Sequence, residues 1–572
     1  MYLTSGQGAI YVVDKDLKKV CDISITDFID GMVVFKEGDV YVTVYGAEGA
    51  ELRKVDLTTK SFGDPVAGIK SSTTASYYTG VEKSLLSSGT NTVSLFDVQT
   101  GTSEELFDWL DANVNNMNVS NVGELSDGRI WAISHEYTDD SNKTELIVFT
   151  KKKASEVPQK ETITFGTLWL SFEVRESIIN FNKTSEQYHI DVKEYVEDDI
   201  EAGMEQFNID IAGSNCPDLI DLSSISYEQY ASKGVFEDLY PYMEKNGINK
   251  DDYLANILKA YETEGKLYGI VPQFYINTVA AKASNTGDIQ GWTLPEMLDF
   301  VKDANPENIF LYGSKDLIFY YCIYNNMDEF INWETGECYF EDDSFIRTLD
   351  FAASFPEEID FDSEGREGTS SMIHSDKALL MQTSVSNVQN YQMMNGLFGE
   401  KVAFVGYPNN DRKGNLIQPS GASVGIASRS KNKDAAWEFI ESLISEEAQN
   451  GLVAQDGSSS GFPILKSALD KQFEKDMTTE YYTDENGENA EQPKAYSGYD
   501  DYQMEIYAAT QEEVDGVKAL IDSAEKLTSS SNEELTKIIN EETQAFFAGQ
   551  KSAADTAAVI QNRVQIYVNE NR

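Results

Sequence analysis

Apolar and polar residues alternate along the first 150 residues, and glycine, aspartate and asparagine stand where the alternation stops. This period of two predicts antiparallel strands joined by tight turns. Runs that end in Asp14, Asp56 and Asp97 recur at intervals of 42 and 41 residues. A repeat near 40 residues, with about four strands in each copy, is typical of propeller blades.

Residues 1–150 therefore resemble the repeats of β-propellers of the quinoprotein or WD-like kind. Closed propellers need about four to eight blades, and 150 residues hold about three to three and a half. Met1 falls inside a repeat. We therefore expect an incomplete propeller, either because the chain is a fragment or because the arc is capped in another way.

The pattern changes after a polar linker at 151–162, and strands then alternate with helices. Strands are predicted at 163–169 and 189–196, with a helix at 173–182 between them. A connection of this length is too long for a hairpin, so the two strands should be parallel. Helices predominate from about residue 240 onward, including one predicted at 433–445 and one that a Ser531-x-x-Glu534 capping box opens and that runs through Phe547. The acidic, glycine-rich stretch 481–501 predicts a long surface loop.

A short apolar strand at 218–222 is followed by the hydroxyl-bearing residues Ser223, Ser224 and Tyr227. Ligands of open α/β sheets bind beyond the carboxyl ends of the strands. This turn is therefore a candidate site for a small polar molecule.

Composition narrows the class of partner. The chain has 572 residues and a formal charge of −52, from 97 acidic and 45 basic residues. Such a balance disfavours nucleic acid and anionic lipid, which both require clustered cations. No apolar stretch is long enough to span a membrane, and no leader is recognisable at Met1. The four cysteines lack metal-ligand spacing, although Cys322 and Cys338 are near enough in sequence to pair.

From residue 163 to residue 572 the chain resembles the family 1 extracellular solute-binding proteins that feed ABC importers. Seven segments occur in family order: Ile163-Thr-Phe-Gly-Thr-Leu-Trp169, Lys266-Leu-Tyr-Gly-Ile-Val-Pro272, Gly291-Trp-Thr-Leu-Pro-Glu-Met297, Lys377-Ala-Leu-Leu-Met381, Ser420-Gly-Ala-Ser-Val-Gly-Ile426, Ala435-Ala-Trp-Glu-Phe-Ile440 and Gly461-Phe-Pro463. Two positions depart from the family pattern. Ala280 and Ala281 stand where a Tyr-Asn pair is frequent, and Asp376 replaces a glycine.

The resemblance implies a multidomain protein, with propeller-like repeats at 1–150, a linker at 151–162 and a two-lobed α/β periplasmic-binding-protein fold at 163–572. It also implies an extracellular protein that is anchored to the cell surface in its full-length form. The expected partners are a small polar solute, expected to be a carbohydrate, and a membrane ABC permease. No cofactor and no metal are expected.

A sugar pocket needs aromatic rings for the apolar sugar faces and polar groups for the hydroxyls. Strand ends and loop tips beside the family segments supply the candidates. They are Trp169, Ser171, Phe172, Ser223, Ser224, Tyr227, Gln273, Tyr275, Gln382, Ser384, Ser420, Gly421, Gly461 and Phe462. We interpret five other aromatic residues as packing residues: Trp292, Trp333, Tyr320, Tyr321 and Tyr324.

Catalysis is not expected. Only three histidines occur, none of them near a serine or cysteine motif, and the common hydrolase and nucleotide-binding motifs are absent from the sequence. Carboxylates are so numerous that their count does not exclude a catalytic pair of the glycosidase type. Two alternatives therefore stand beside transport: a secreted glycan-degrading enzyme with a propeller accessory domain, and a sensor of ligand occupancy.

Overall fold

The chain is described from a computed structural model, which covers residues 2–571 apart from several short segments. The segments outside the description are 6–8, 25–27, 36–37, 47–48, 68–75, 81–83, 99, 139–140, 158, 197–198, 288, 305–308, 359–366, 454–460, 484–486, 500 and 529–531. Two compact units are present. The first comprises residues 1–161 and 172–187, and the second comprises residues 162–171 and 188–572.

The first unit consists mainly of antiparallel sheets whose strands follow one another in sequence. Its strands are β1 (Tyr2–Ser5), β2 (Ala9–Val13), β3 (Lys19–Ser24), β4 (Phe28–Val34), β5 (Val40–Gly46), β6 (Gly49–Asp56), β7 (Ser61–Pro65), β8 (Ser76–Thr79), β9 (Ser84–Ser88), β10 (Thr92–Asp97), β11 (Thr102–Asp108), β12 (Val119–Glu124), β13 (Ile130–Thr138) and β14 (Ser141–Phe149). They form four sheets, β1–β3, β4–β7, β8–β11 and β12–β14. The predicted antiparallel strands are confirmed.

Apolar side chains connect each of these sheets to the next. Ile10 and Val42 share one core between the first two sheets. Phe35 and Leu85 share another core, and Trp109 lies in a third core with residues of the last sheet. This order suits stacked blades, and the incomplete propeller stays a prediction.

One helix from the predicted α/β region belongs to the first unit. This helix, α1 (Phe172–Thr184), buries Arg175 completely. The Arg175 guanidinium donates to Asn91 Oδ1 at 2.9 Å. Asn115 Nδ2 donates to Glu176 Oε2, also at 2.9 Å. The sequence predicted the helix at 173–182 but not its association with the strands of the first unit.

The second unit alternates strands and helices before becoming mainly helical. Its strands are β15 (Glu161–Thr167), β16 (Tyr188–Glu194), β17 (Leu219–Asp221), β18 (Glu262–Thr263), β19 (Lys266–Leu267), β20 (Gln273–Lys282), β21 (Ile331–Asn332), β22 (Glu337–Cys338), β23 (Leu380–Val385), β24 (Val402–Phe404), β25 (Leu416–Ser420), β26 (Val424–Ile426), β27 (Phe462–Pro463), β28 (Tyr481–Thr483), β29 (Asn489–Glu491), β30 (Ala495–Tyr499), β31 (Tyr502–Ile506) and β32 (Lys526–Leu527).

Its helices are α2 (Ile200–Ala212), α3 (Tyr227–Ser232), α4 (Tyr240–Lys245), α5 (Ala255–Ala260), α6 (Ala283–Thr286), α7 (Leu294–Val301), α8 (Lys315–Cys322), α9 (Met327–Phe330), α10 (Asp343–Ala353), α11 (Thr369–His374), α12 (Val388–Phe398), α13 (Lys433–Ile444), α14 (Glu446–Gly451), α15 (Lys466–Asp476), α16 (Gln511–Ser523), α17 (Glu533–Phe547) and α18 (Ala553–Asn571). The predicted helix that starts near residue 531 is α17. Its cap is Asn532, whose side chain accepts from the Leu535 amide, and Ser531 lies outside the described residues.

Two separate sheets give the second unit two lobes. The first lobe has the strand order β16-β15-β17-β26, with β15 parallel to β17. The second lobe is built on the order β23-β20-β25-β32, and β24 and β27 also pair with β20. The two-lobed α/β architecture expected for this region is therefore present.

The second lobe holds a large apolar core. Trp292, which is 2% exposed, belongs to it and donates from its indole nitrogen to Gly406 O at 3.0 Å. Helix α7 begins directly after Trp292, where Thr293 and Glu296 form a reciprocal capping box. The packing role predicted for Trp292 is confirmed.

Two chain segments run side by side from one lobe to the other. In the first lobe Ile270 and Val424 exchange backbone hydrogen bonds of 3.0 and 2.9 Å. Three residues further along, Gln273 pairs with Ser420 in the sheet of the second lobe. Gly421, with a φ of 77°, lies between these two pairings. A paired crossing of this kind is a candidate hinge.

The region around 481–501 differs from the sequence prediction. Its acidic, glycine-rich composition predicts a long surface loop, whereas the structure forms two hairpins, β28–β29 and β30–β31. All four cysteines are free thiols, so the pairing considered for Cys322 and Cys338 is absent. Within the described part of the chain, no helix is long and apolar enough to cross a membrane.

Candidate functional site

The carboxyl ends of β15 and β17 carry a hydrogen-bonded group centred on Asp221. The two strands are parallel neighbours, so their ends lie side by side. Asp221, 3% exposed, accepts from Thr167 Oγ1 at 2.7 Å through Oδ2. Its Oδ1 accepts from the Ser223 hydroxyl at 2.6 Å and from the Ser223 amide at 3.0 Å. Asp221 therefore connects the two turns that carry Trp169 and Ser223, a role that the sequence analysis missed.

The aromatic residues of the Trp169 turn are accessible. The Trp169 carbonyl oxygen lies 2.9 Å from Thr167 Oγ1 and shares that hydroxyl's single proton with Asp221 Oδ2. The Trp169 side chain is 50% exposed and that of Phe172 is 38% exposed. Ser171 between them is also exposed. Trp169 can therefore offer ring surface to a ligand.

Tyr227 does not line a pocket, and this corrects the sequence interpretation. Its ring is buried and stacks on Phe236 at 5.8 Å between centroids. Its hydroxyl donates to the Tyr261 carbonyl. The neighbouring Ser223 is exposed, and Ser224 completes the same 3-10 turn. The aromatic residue of this segment contributes to the core, because the first turn of α3 directs it inward.

Four candidates meet at the start of β20. Gln273 pairs with Ser420 of β25, and its amide donates to Gly461 O at 2.9 Å. Phe462 is 1% exposed and packs on Phe274. The Gln273 amide and the Phe462 ring are therefore engaged inside the protein, and Gly421 follows at the crossing. The structure does bring these residues together, although their sequence positions span almost 190 residues.

The remaining candidates lie further along the same sheet. Tyr275 is half-buried, and this burial raises its pKa. Ser384 Oγ donates to Asn277 Oδ1 at 2.6 Å. Gln382 is exposed, and its Oε1 accepts from the Tyr321 hydroxyl at 2.8 Å. These contacts position the polar side chains of β23 against β20.

The second unit also contains a cavity of about 1190 Å³, and none of the fourteen candidates lines it. Residues of α3, α5 and β18 form its wall on the first lobe. Residues of α8, α9, β21, β32 and α17 form the wall on the second lobe. The cavity therefore lies between the two lobes, where a solute can contact both.

Aromatic residues that the sequence analysis assigned to packing line this cavity. Tyr320, 46% exposed, and Tyr324 stand one helical turn apart with ring centroids 6.1 Å apart. The Tyr324 hydroxyl donates to Asn540 Oδ1 of α17 at 2.8 Å. Trp333 is half-buried at the cavity wall. The spacing of the tyrosines was the available signal, but such spacing predicts a core face as readily as a pocket wall. Tyr321, on the other side of α8, is a core residue as predicted.

Carboxylates outnumber cations around the cavity. The acidic lining residues are Glu228, Asp316, Asp328, Glu334 and Glu525, and the basic ones are Lys259 and Lys526. Lys526 Nζ lies 2.8 Å from Asp328 Oδ2 and 3.1 Å from Asp411 Oδ2. Lys259 Nζ lies 3.1 Å from Glu525 Oε2. Both lysines are therefore neutralised by the protein, which leaves the cavity with a negative excess.

No metal centre is evident in the part of the chain that the structure describes. No three or more histidine, cysteine, aspartate or glutamate side chains are grouped there in a way that could hold an ion. The polar lining of the cavity instead includes the amides Asn325, Asn332 and Asn540, which suit hydroxyl groups of a ligand.

Comparison with known proteins gives a family match. The sequence model described as bacterial extracellular solute-binding protein matches residues 177–480. A sugar-binding protein MalE from Xanthomonas citri is 14% identical and covers 72% of this chain and 98% of its own, with a TM-score of 0.45. An ABC substrate-binding protein from Listeria monocytogenes, solved with cycloalternan, is 14% identical over 72% of this chain and 100% of its own, with a TM-score of 0.43. A family 1 extracellular solute-binding protein from Alicyclobacillus acidocaldarius is 16% identical over 72% and 98%, with a TM-score of 0.41.

Proposed function

Because the chain belongs to the bacterial extracellular solute-binding proteins, we propose that it captures a carbohydrate between the lobes of its second unit and delivers it to an ABC permease. Proteins of this family bind small-molecule ligands and work with such permeases. The observation that carries the proposal is the interlobe cavity with Tyr320, Tyr324 and Trp333 on its wall. The ligand class and the individual partner permease are part of the proposal.

The chemistry of the cavity supports a carbohydrate. Aromatic rings cover the apolar faces of sugars, and carboxylates and amides bind their hydroxyl groups. Both kinds of group are present on one wall. The volume of about 1190 Å³ exceeds the roughly 300–1,000 Å³ of common small-molecule pockets. There is room for an oligosaccharide.

The crossing segments support capture by lobe closure. Backbone pairs on both sides of Gly421 keep the two strands together while the left-handed glycine permits a change in direction. Closure would bring the wall of α3 toward that of α8, with the solute between them. Transport rather than glycan degradation or sensing is proposed, because this family acts by binding solutes.

The test is a thermal-shift screen of the whole chain against neutral and charged oligosaccharides, amino acids and polyamines, followed by calorimetry. We expect an oligosaccharide to raise the melting temperature. Replacing Tyr320 with alanine should weaken its binding about tenfold, since one ring face is lost from the contact. Tyr339→Ala is the matched control, because Tyr339 is an exposed tyrosine of the same lobe outside the cavity. Equal affinity for wild type and Y320A, or no response to any saccharide, would contradict the proposal.

A second prediction concerns Trp169. Because half of this side chain is exposed, Trp169→Ala should change the free energy of unfolding by about 1 kcal/mol or less. If the ring stacks on the solute, affinity should fall about tenfold. Calorimetric titration and a melting curve together measure both effects. A large loss of stability with unchanged affinity would assign the residue to packing.

A further inference from the structure

Glu228 is a carboxylate on the cavity wall of the first lobe. It follows Tyr227 in α3, and its side chain lines the cavity. In the described part of the chain, no lysine or arginine pairs with it and no other side chain donates a hydrogen bond to it. Its exposed surface is therefore available to whatever occupies the cavity.

The surroundings of Glu228 make this carboxylate costly to keep charged. Glu228 remains accessible from the cavity, but the surrounding protein partly desolvates it and raises its pKa. The Asp328 carboxylate on the opposite lobe raises the pKa further. A positively charged group bound beside Glu228 would offset this cost.

The protein does not supply that positive charge itself. Lys526 and Lys259, which are the basic residues of the lining, are held by Asp328, Asp411 and Glu525. Five carboxylates against two lysines leave an excess of three negative charges around the cavity. A neutral hydroxyl can donate a hydrogen bond to a carboxylate, but it leaves this excess in place.

The aromatic wall also favours a cation. Tyr320, Tyr324 and Trp333 line the same space. Ammonium groups bind favourably over such faces, and the attraction grows when water is excluded. Anionic sugars such as uronic acids would instead meet repulsion from the lining carboxylates.

We propose that the solute is a carbohydrate carrying a free amine, whose ammonium group pairs with Glu228 between the two lobes. This inference rests on the proposed function, because it specifies the ligand of the same cavity. It places recognition of the charge on α3 and recognition of the ring faces on α8 and its neighbours.

Three tetrasaccharides with one β-1,4 backbone provide the test. They carry at carbon 2 an amine (glucosamine), an acetamide (N-acetylglucosamine) or a hydroxyl (glucose). Titrating the whole chain at pH 6.5 and low salt, we expect the glucosamine tetramer to bind at least about tenfold more tightly than the other two, as hydrogen bonds to charged groups are the stronger ones. This preference should shrink at about 0.5 M salt.

Glu228→Gln keeps the shape of the side chain and removes its charge. This variant should bind the glucosamine tetramer about tenfold more weakly than the wild type and should bind the other two tetrasaccharides with nearly unchanged affinity. Asp434→Asn is the control, because Asp434 lies outside the cavity in an exposed pair with Lys245. If E228Q weakens all three ligands equally, Glu228 acts as an ordinary acceptor and the inference is wrong.

The remaining outcomes separate the inference from the proposed function. Equal binding of the three tetrasaccharides would overturn the amine specificity but leave carbohydrate capture intact. Binding of spermidine without binding of any saccharide would overturn both, since the ligand would then be an amine without a sugar. Tighter binding of the glucosamine tetramer with loss in E228Q supports both.

Discussion

Replacing Phe345 with alanine is expected to lower the free energy of unfolding of the second unit by about 3–5 kcal/mol. Phe345 is fully buried in the core of the second lobe. Its ring contacts Phe340, Phe330 and Phe319 with centroid distances of 5.1, 5.5 and 6.0 Å. Alanine would leave a cavity among rings that cannot close around it, and chemical denaturation followed by circular dichroism measures the loss.

Phe345→Leu is the matched control, because leucine keeps most of the buried volume. Its loss of unfolding free energy should be less than half that of the alanine variant. The alanine variant should also weaken solute binding, since Phe319 lines the interlobe cavity and would lose a neighbour. An alanine variant as stable as wild type would show that this aromatic cluster is not a tightly packed core.

The regular elements of the second unit were predictable because their periodicity is local. The helix predicted at 433–445 is α13, which buries Ala436, Phe439, Ile440 and Leu443 as its spacing indicates. The strand at 218–222 is also present, as β17. The hairpins between residues 481 and 506 were missed because acidic and glycine-rich residues predict a loop, whereas exposed hairpins tolerate the same residues.

The cavity could not be predicted because its walls come from distant parts of the chain. Tyr324 meets Asn540, 216 residues further along. A tyrosine one turn from another tyrosine is equally compatible with a core, and only the position of α17 leaves this face open. Asp221 was missed for a related reason. The sequence pattern predicts Asp221 as part of a buried strand, and its partner Thr167 lies 54 residues away.

The two lobes thus contribute different parts of the candidate site. The first lobe offers the exposed carboxylate of Glu228. The second lobe offers the rings of Tyr320 and Trp333. In the proposed capture neither lobe alone encloses the solute, so the two lobes must close about the crossing at Gly421. A ligand that contacts one lobe only would not stabilise the closed form.

Replacing Asp221 with alanine is expected to lower the free energy of unfolding by about 1–3 kcal/mol. The change leaves the fully buried Thr167 hydroxyl without this acceptor and removes both bonds made by Ser223. A buried donor that loses its acceptor costs about 1–3 kcal/mol, and the bonds of the exposed Ser223 contribute less because water can replace them. The measurement is denaturant unfolding of the whole chain.

The free energy of unfolding of Asp221→Asn should lie between those of the wild type and the alanine variant, because one side-chain oxygen remains as an acceptor. Asp191→Ala, at an exposed position of β16 in the same sheet, should change stability by about 0.5 kcal/mol or less. Asp221 also holds the turns of Trp169 and Ser223 together. If D221A and D191A have the same free energy of unfolding, the Asp221 carboxylate does not organise these turns. A binding site that includes Trp169 would then need other contacts to hold this turn in place, because Thr167 contributes a single hydrogen bond to it.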